Sequence, residues 1–424
     1  MPQFDLTLLL QGLAGLFAFL IIGWILSENR KGVDIKSILI ALFAQFVLAF
    51  LTTRVDIIRD GFLKVSQGIN SLKDATIAGT GFVFGYVGGG NLPFELKEGA
   101  NSFIFAFQAL PMVMVVSAIS MLLFHWNILP VVVKGFSWAL TKTLRIGGAL
   151  GVCAAAKVFL GQTEAPLLIR PYLRNLSRSE LFTVMTAGMA TTSATIMVLY
   201  ATILEGTIAN PISHILTASI ISIPAAIAIS RVMIPHTGAD TAGDLVVPFN
   251  FNGSMEAVSQ GATDGLKLFL NIIAMLIVML ALVHLANSIL TVLPDFQGAP
   301  ISLQRVFGWL MAPVAWLMGI PWSESQAAGN LIGTKTVLNE IMAFIDLSKL
   351  PKGALSPRAD LIMTYALCGF ANFSSIAIQI GGLGAMVPER RKEIISLGFK
   401  ALIAGTIASC MSGTMIGLLW WLSL

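Results

Sequence analysis

Four charged side chains, Lys157, Glu164, Lys335 and Glu340, sit inside stretches otherwise apolar enough to lie in a bilayer. A charge at the centre of a membrane helix costs about 2.5–3.5 kcal/mol on insertion scales, so each of the four needs a partner, water or a ligand. All four fall in two segments, 147–169 and 322–345, interrupted by GQTEAP and by NLIGTKTVLNE. In GQTEAP (161–166), Gly and Pro flank a polar triplet, so a helix is expected to end and restart there. The freed backbone groups then join Gln162, Thr163 and Glu164, which bring an amide, a hydroxyl and a carboxylate to one polar ring. In NEIMAF (339–344), the Glu340 carboxylate could accept two hydroxyls of a vicinal diol, as on a ribose; the alternative is a structural ion pair with Lys335 or Lys157. A third piece, CGFANFSSIAI (368–378), interrupts an apolar helix with Asn372, Ser374 and Ser375 beside Phe370 and Phe373, which reads as a pocket wall. ATTSAT (190–195) could offer hydroxyls and unwound carbonyls to a monovalent cation, although Ser and Thr also back-bond within ordinary helices.

The elements that must position these groups follow from composition. Of 424 residues, 56% are hydrophobic and 11% charged, against about 25% charged in soluble domains. Too little charge is present to coat a water-facing surface, so an all-α polytopic membrane protein is expected. Apolar runs near the 20 residues needed to span a bilayer occur at 7–27, 36–53, 103–124, 181–204, 214–234, 266–292, 359–381 and 395–423, which gives eight spans. The broken segments 147–169 and 322–345 are each read as a re-entrant hairpin. Connections 54–102 and 235–264 are expected to lie at the interface as amphipathic helices, with GYVGGG (85–90) as a flexible turn; no Lys-Ser/Thr ending follows it, so it is not a phosphate loop.

Hairpin followed by broken helix occurs twice, at 147–204 and 322–381, and interrupted helices at matching positions of two halves point to a transporter site at the midplane. The expected organisation is 1–102, N-terminal helices and interfacial segment; 103–146, scaffold helix and inner interfacial helix; 147–234, first repeat; 235–320, scaffold helix with interfacial segments; and 321–424, second repeat, inverted relative to the first. With the N-terminus outside, inner loops hold fifteen Lys and Arg against nine outside, so the positive-inside rule puts both termini on the periplasmic side. The net charge of +4 reflects that loop bias and not a nucleic-acid partner. No cofactor, metal-ligand set or nucleophile–base pair emerges, which argues against an enzyme; Cys153, Cys368 and Cys410 read as small core residues.

Three segments, KVFLGQTEAPLLIRPYL (157–173), GTKTVLNEIMAF (333–344) and CGFANFSSIAIQIGGLGAMVPERR (368–391), together resemble the concentrative nucleoside transporter family. The similarity runs from about residue 80 to the end. It implies a cation-coupled nucleoside importer of a bacterial inner membrane, working by alternating access as a homotrimer, with a uridine-like substrate. It further implies that Gln162, Thr163 and Glu164 read the base with Ile196 packing nearby. Glu340, Asn372 and Ser375 would hold the ribose, with Phe370 lining the pocket. The coupling-ion region would be Lys157, Leu160, Thr191 and Thr192. One position departs from the sodium-coupled pattern: Lys157 stands where those members have an Asn, five residues before the Gln of GQTE. An ammonium there would repel Na⁺, which favours H⁺ coupling through Glu164, Glu340 or Lys157. The alternatives are that Lys157 snorkels to the cytoplasmic face and Na⁺ still binds, or that another small polar solute is carried.

Overall fold

The computed structural model describes residues 5–97, 102–247, 251–295, 298 and 300–420. The end of the expected span 395–423, and parts of the connections 54–102 and 235–264, lie outside the described residues. Among those described, the chain forms eighteen α-helices and no strand. In order they are α1 (Leu6–Ile25), α2 (Ile35–Arg54), α3 (Asp56–Phe84), α4 (Phe105–Gln108), α5 (Met112–His125), α6 (Ile128–Leu144), α7 (Gly148–Ala156), α8 (Glu164–Leu167), α9 (Arg178–Ala190), α10 (Ala194–Ile203), α11 (Pro211–Met233), α12 (Ser254–Leu290), α13 (Leu303–Leu317), α14 (Trp322–Val337), α15 (Glu340–Ser348), α16 (Pro357–Leu367), α17 (Phe373–Met386) and α18 (Arg391–Leu419).

Among the described residues, seven stretches are long and apolar enough to cross a bilayer: α1, α2, α4–α5, α9–α10, α11, α12 and the helix ending at Leu419. The eighth expected span is the pair α16–α17, of 11 and 14 residues, neither of which crosses alone. Capping residues place the breaks. Asn339 starts α15 by accepting from the Met342 N–H at 3.0 Å. Asn372 starts α17 by accepting from the Ser375 N–H at 2.8 Å. Ser177 and Glu180 form a reciprocal capping box that starts α9. Such side chains satisfy the donors that a helix start leaves free.

One of the two long connections differs from expectation. Residues 54–102 contain one 29-residue helix, α3, closed by a tight turn at Gly85–Gly88. The described part of 235–253 carries no helix, and α12 instead begins at Ser254 and runs for 37 residues. That is about 55 Å at 1.5 Å per residue, well beyond a hydrocarbon core of roughly 30 Å. Its first turns, SMEAVSQGATDG, are polar but contain no Pro, so the helix continues into the aqueous layer where hydropathy alone stops reading it.

The hairpin and broken helix occur twice, as α7–α8 with α9–α10 and as α14–α15 with α16–α17. The two broken helices run in opposite directions. Arg390, just after α17, donates to the carbonyls of Leu173 and Leu176, just before α9, at 2.9 and 2.6 Å. The end of α17 therefore lies at the start of α9, and the Gln379 amide crosses to the Met185 carbonyl at 2.9 Å between them. The same face gathers an ionic cluster in which Glu28 accepts from Arg178 at 3.0 and 2.8 Å and from Lys400 at 2.6 Å. Cys153, Cys368 and Cys410 are buried free thiols.

Candidate functional site

The tip of the first hairpin is a non-helical stretch between α7 and α8. Its backbone is held by charged side chains at both ends of one peptide residue. The Gly161 N–H donates to Glu164 Oε2 at 2.5 Å, and the Gly161 carbonyl accepts from Lys157 Nζ at 3.1 Å. Lys157 is 1% exposed, so it does not snorkel to either face. Gly188 of α9 leaves the room for it: a Cβ there would lie 3.2 Å from Lys157 Nζ and 2.6 Å from Gln379 Nε2. The hairpin tip also meets the break in the first interrupted helix, where the Ala194 N–H donates to the Phe159 carbonyl at 3.1 Å.

The second hairpin delivers Glu340 to the same depth. Its Oε1 accepts from the Tyr200 hydroxyl and its Oε2 from Asn372 Nδ2, each at 2.8 Å. The Tyr200 ring packs on Phe344, with centroids 4.7 Å apart. Glu340 forms no ion pair among the described residues. Lys335 instead donates to the Ala366 carbonyl at 2.8 Å, near the C-terminus of α16, where a cation complements the helix dipole. Lys335 therefore acts on Glu340 only from beyond ion-pair distance.

These pieces enclose one cavity of about 180 Å³. Gln162, Thr163, Glu164, Ile196, Glu340, Phe370, Asn372 and Ser375 all line it. Polar and apolar side chains both line it. Gln162 Nε2 donates to Ser375 Oγ at 3.2 Å, while the buried Gln162 Oε1 accepts nothing. A buried acceptor without a donor costs about 1–3 kcal/mol, so this atom is primed for a ligand N–H or O–H. Each Glu340 oxygen accepts from one side-chain donor, and a carboxylate offers about four lone-pair sites, so acceptor capacity is left for a guest. Ile196, Phe370 and the α12 residues Leu268, Ile272 and Met275 supply apolar surface. The arrangement can bind an amphipathic solute with a hydrogen-bonding edge, adjacent hydroxyls and a flat apolar face.

Lys157, Leu160, Thr191 and Thr192 are buried behind this cavity and do not line it. The Thr191 hydroxyl is used at the end of α9, donating to the Ala187 carbonyl at 2.8 Å. Sequence reading missed Tyr200 and Asn271. Tyr200 could have been flagged as a phenol within an apolar run, since a buried Tyr hydroxyl requires a partner. Asn271 is a polar residue within the apolar run 266–292 and lines the cavity from α12. No local pattern placed either one opposite the hairpins.

Opposed broken helices, two hairpins and a cavity lined by polar groups from both repeats define a secondary transporter. The chain belongs to the concentrative nucleoside transporter family. Models described as Na⁺ dependent nucleoside transporter C-terminus, Na⁺ dependent nucleoside transporter N-terminus, and Gate: nucleoside recognition match residues 214–417, 14–87 and 106–207. An uncharacterized transporter of Haemophilus influenzae is 36% identical over 96% of this chain and 97% of that protein. The nucleoside permease NupC of Helicobacter pylori is 33% identical over 95% and 96%. Among solved structures, CNTnw in an inward-facing substrate-bound state matches with TM-score 0.89 at 32% identity, over 98% of this chain and 99% of that one. A doubly substituted CNTnw in an outward-facing state matches with TM-score 0.90 at 32% identity, over 99% of both chains. The protein is thus a multi-pass membrane transporter and not an enzyme.

Proposed function

We propose that the protein imports nucleosides across a bacterial inner membrane by cation symport and alternating access, and that its coupling is to protons. The observation that carries the coupling is the buried Lys157 ammonium on the Gly161 carbonyl. It stands where sodium-coupled relatives have a neutral Asn. Two like charges about 4 Å apart repel by about 4 kcal/mol at an effective dielectric of 20, enough to eject a loosely held Na⁺. The tethered ammonium takes the place of the ion, and Glu340, Glu164 or Lys157 itself carries the proton. A second reading, Na⁺ coupling, is favoured by the descriptions of the matching family models.

In this reading Gln162, Thr163 and Glu164 recognise the nucleobase, with Ile196 against it. Glu340, Asn372 and Ser375 take the ribose hydroxyls beside Phe370. The two repeats, 147–234 and 321–424, form the moving part against a scaffold that includes α5 and α12. The assembly is a homotrimer with both termini periplasmic. Radiolabelled uridine uptake into proteoliposomes, with Na⁺ and pH gradients imposed separately, tests the reading. Accumulation driven by an inward proton gradient without Na⁺ supports it, and a strict Na⁺ requirement overturns the coupling. Excess nucleoside should compete, whereas free ribose or uracil should not.

A further inference from the structure

Away from the central cavity, a second pocket is lined by Lys36, Arg145 and Arg231. It lies where the starts of α2 and the ends of α6 and α11 meet. Lys36, Ser37, Arg145, Arg231, His236 and Asp34 line it. Asp34, Asp240 and Glu180 act on Arg231 electrostatically at longer range. Asp34 is occupied as the N-cap of α2, accepting from the Lys36 N–H at 3.1 Å. His236 Nε2 sits 3.2 Å from Asp240. Among the described residues no carboxylate lies within ion-pair distance of Lys36, Arg145 or Arg231. Arg231 is fixed rather than floating: its guanidinium donates to Ser37 Oγ and to the carbonyls of Leu144 and Arg145, the last two at 3.2 and 3.0 Å. Arg145 is held at positive φ, 49°, directly after α6.

Directly below this pocket, and sharing Ile40 with it, runs an apolar groove of about 380 Å³. Phe43 and Val47 of α2 form one wall, Phe136 and Leu140 of α6 the other, and Ile220 and Ile223 of α11 the floor. Its depth is that of a single leaflet. Eleven residues separate Lys36 from Val47 and, likewise, Ile220 from Arg231, or about 16 Å of helix. Half of a hydrocarbon core of roughly 30 Å is about 15 Å.

From these two adjoining features we infer that the cleft between α2 and α6 is a binding site for an anionic glycerophospholipid, with its phosphate in the Lys36–Arg145–Arg231 pocket and its acyl chains in the groove. Basic pockets between membrane helices take anionic headgroups, and guanidinium groups suit phosphate oxygens. A free phosphate shares the headgroup chemistry but leaves the groove unfilled. The groove is what commits the site to a lipid.

The test is native mass spectrometry of the full-length protein in mild detergent. Phosphatidylglycerol, phosphatidylcholine with the same acyl chains, and glycerol phosphate are the probes. Phosphatidylglycerol adducts should outlast phosphatidylcholine adducts, and glycerol phosphate should fail to displace them. Lys36→Gln/Arg145→Asn should lower phosphatidylglycerol retention by roughly thirtyfold, from two cations near the membrane surface. Ala139→Trp, which fills the groove and leaves every charge in place, should lower it too. Equal retention of the two lipids, unchanged retention in both variants, or displacement by glycerol phosphate would each overturn the inference. If the double variant does not fold, Ala139→Trp and the wild-type comparison of the two lipids still decide it.

Discussion

Lys157 and Glu164 hold Gly161 from opposite sides, the ammonium on its carbonyl at 3.1 Å and the carboxylate on its N–H at 2.5 Å. Two charges that are costly in an apolar interior thereby close the tip of the first hairpin, and Glu164 does so from the rim of the cavity. Lys157, the hairpin backbone and the wall of the cavity are mechanically one unit. A change at Lys157 is expected to reach the solute through the backbone of Gly161 and Gln162.

Replacing Lys157 with Asn removes the tethered charge and restores a neutral oxygen ligand. Uridine uptake by Lys157→Asn should become stimulated by Na⁺, while wild-type uptake should be insensitive to it. Lys157→Met removes the charge without supplying a ligand, and should lose uptake without gaining Na⁺ stimulation. A Na⁺ titration of initial rates in proteoliposomes separates the three proteins.

Glu340 is held by two neutral donors, Tyr200 and Asn372. Glu340→Gln keeps the shape but loses the charge, and concentrative uptake should disappear; full accumulation by this variant would remove Glu340 from the mechanism. Tyr200→Phe acts indirectly, by leaving one carboxylate oxygen without its donor. Hydrogen bonds to charged groups contribute about 1.5–3 kcal/mol, so nucleoside affinity should weaken by roughly tenfold to a hundredfold, read by equilibrium binding.

The two repeats touch where Gly382 of α17 meets Thr163 at the tip of the first hairpin. A Cβ at Gly382 would stand 2.4 Å from Thr163 Cγ2. Gly382→Ala should push the tip away, at a cost typical of overpacking, about 1–3 kcal/mol, and weaken nucleoside binding accordingly. Thr163→Ser removes that methyl, so the double variant should recover much of the loss. Binding measurements on the four proteins form the cycle.

On the charged face, the Glu28 carboxyl is held down to about 2 from an ordinary 4.5, chiefly by its hydrogen bond from Arg178, with burial opposing and Lys400 assisting. A lowered carboxylate pKa contributes stability above the ordinary value, and that contribution is lost as pH falls toward the folded-state value. Glu28→Gln should therefore lower the unfolding temperature at about pH 6. The gap to wild type should narrow as the pH is taken down to about 3. A gap that stays constant over that range would show that Glu28 acts through packing alone.

The sequence by itself determined the membrane class and most of the span positions. The reason is that charge and broken backbone within an apolar run are expensive enough to stand out at each position. All eight residues expected to contact the solute line the one cavity, because GQTEAP, NEIMAF and CGFANFSS each interrupt a helix and the interruptions must share a polar space. Tertiary structure alone decided the partners. It set Lys335 on Ala366 and not on Glu340, brought Tyr200 across to Glu340, and buried Lys157 against Gly161. It also carried α12 out of the bilayer as one helix. Those choices rest on distances between segments far apart in the chain, and local composition carries no record of which of several buried acceptors a cation will reach.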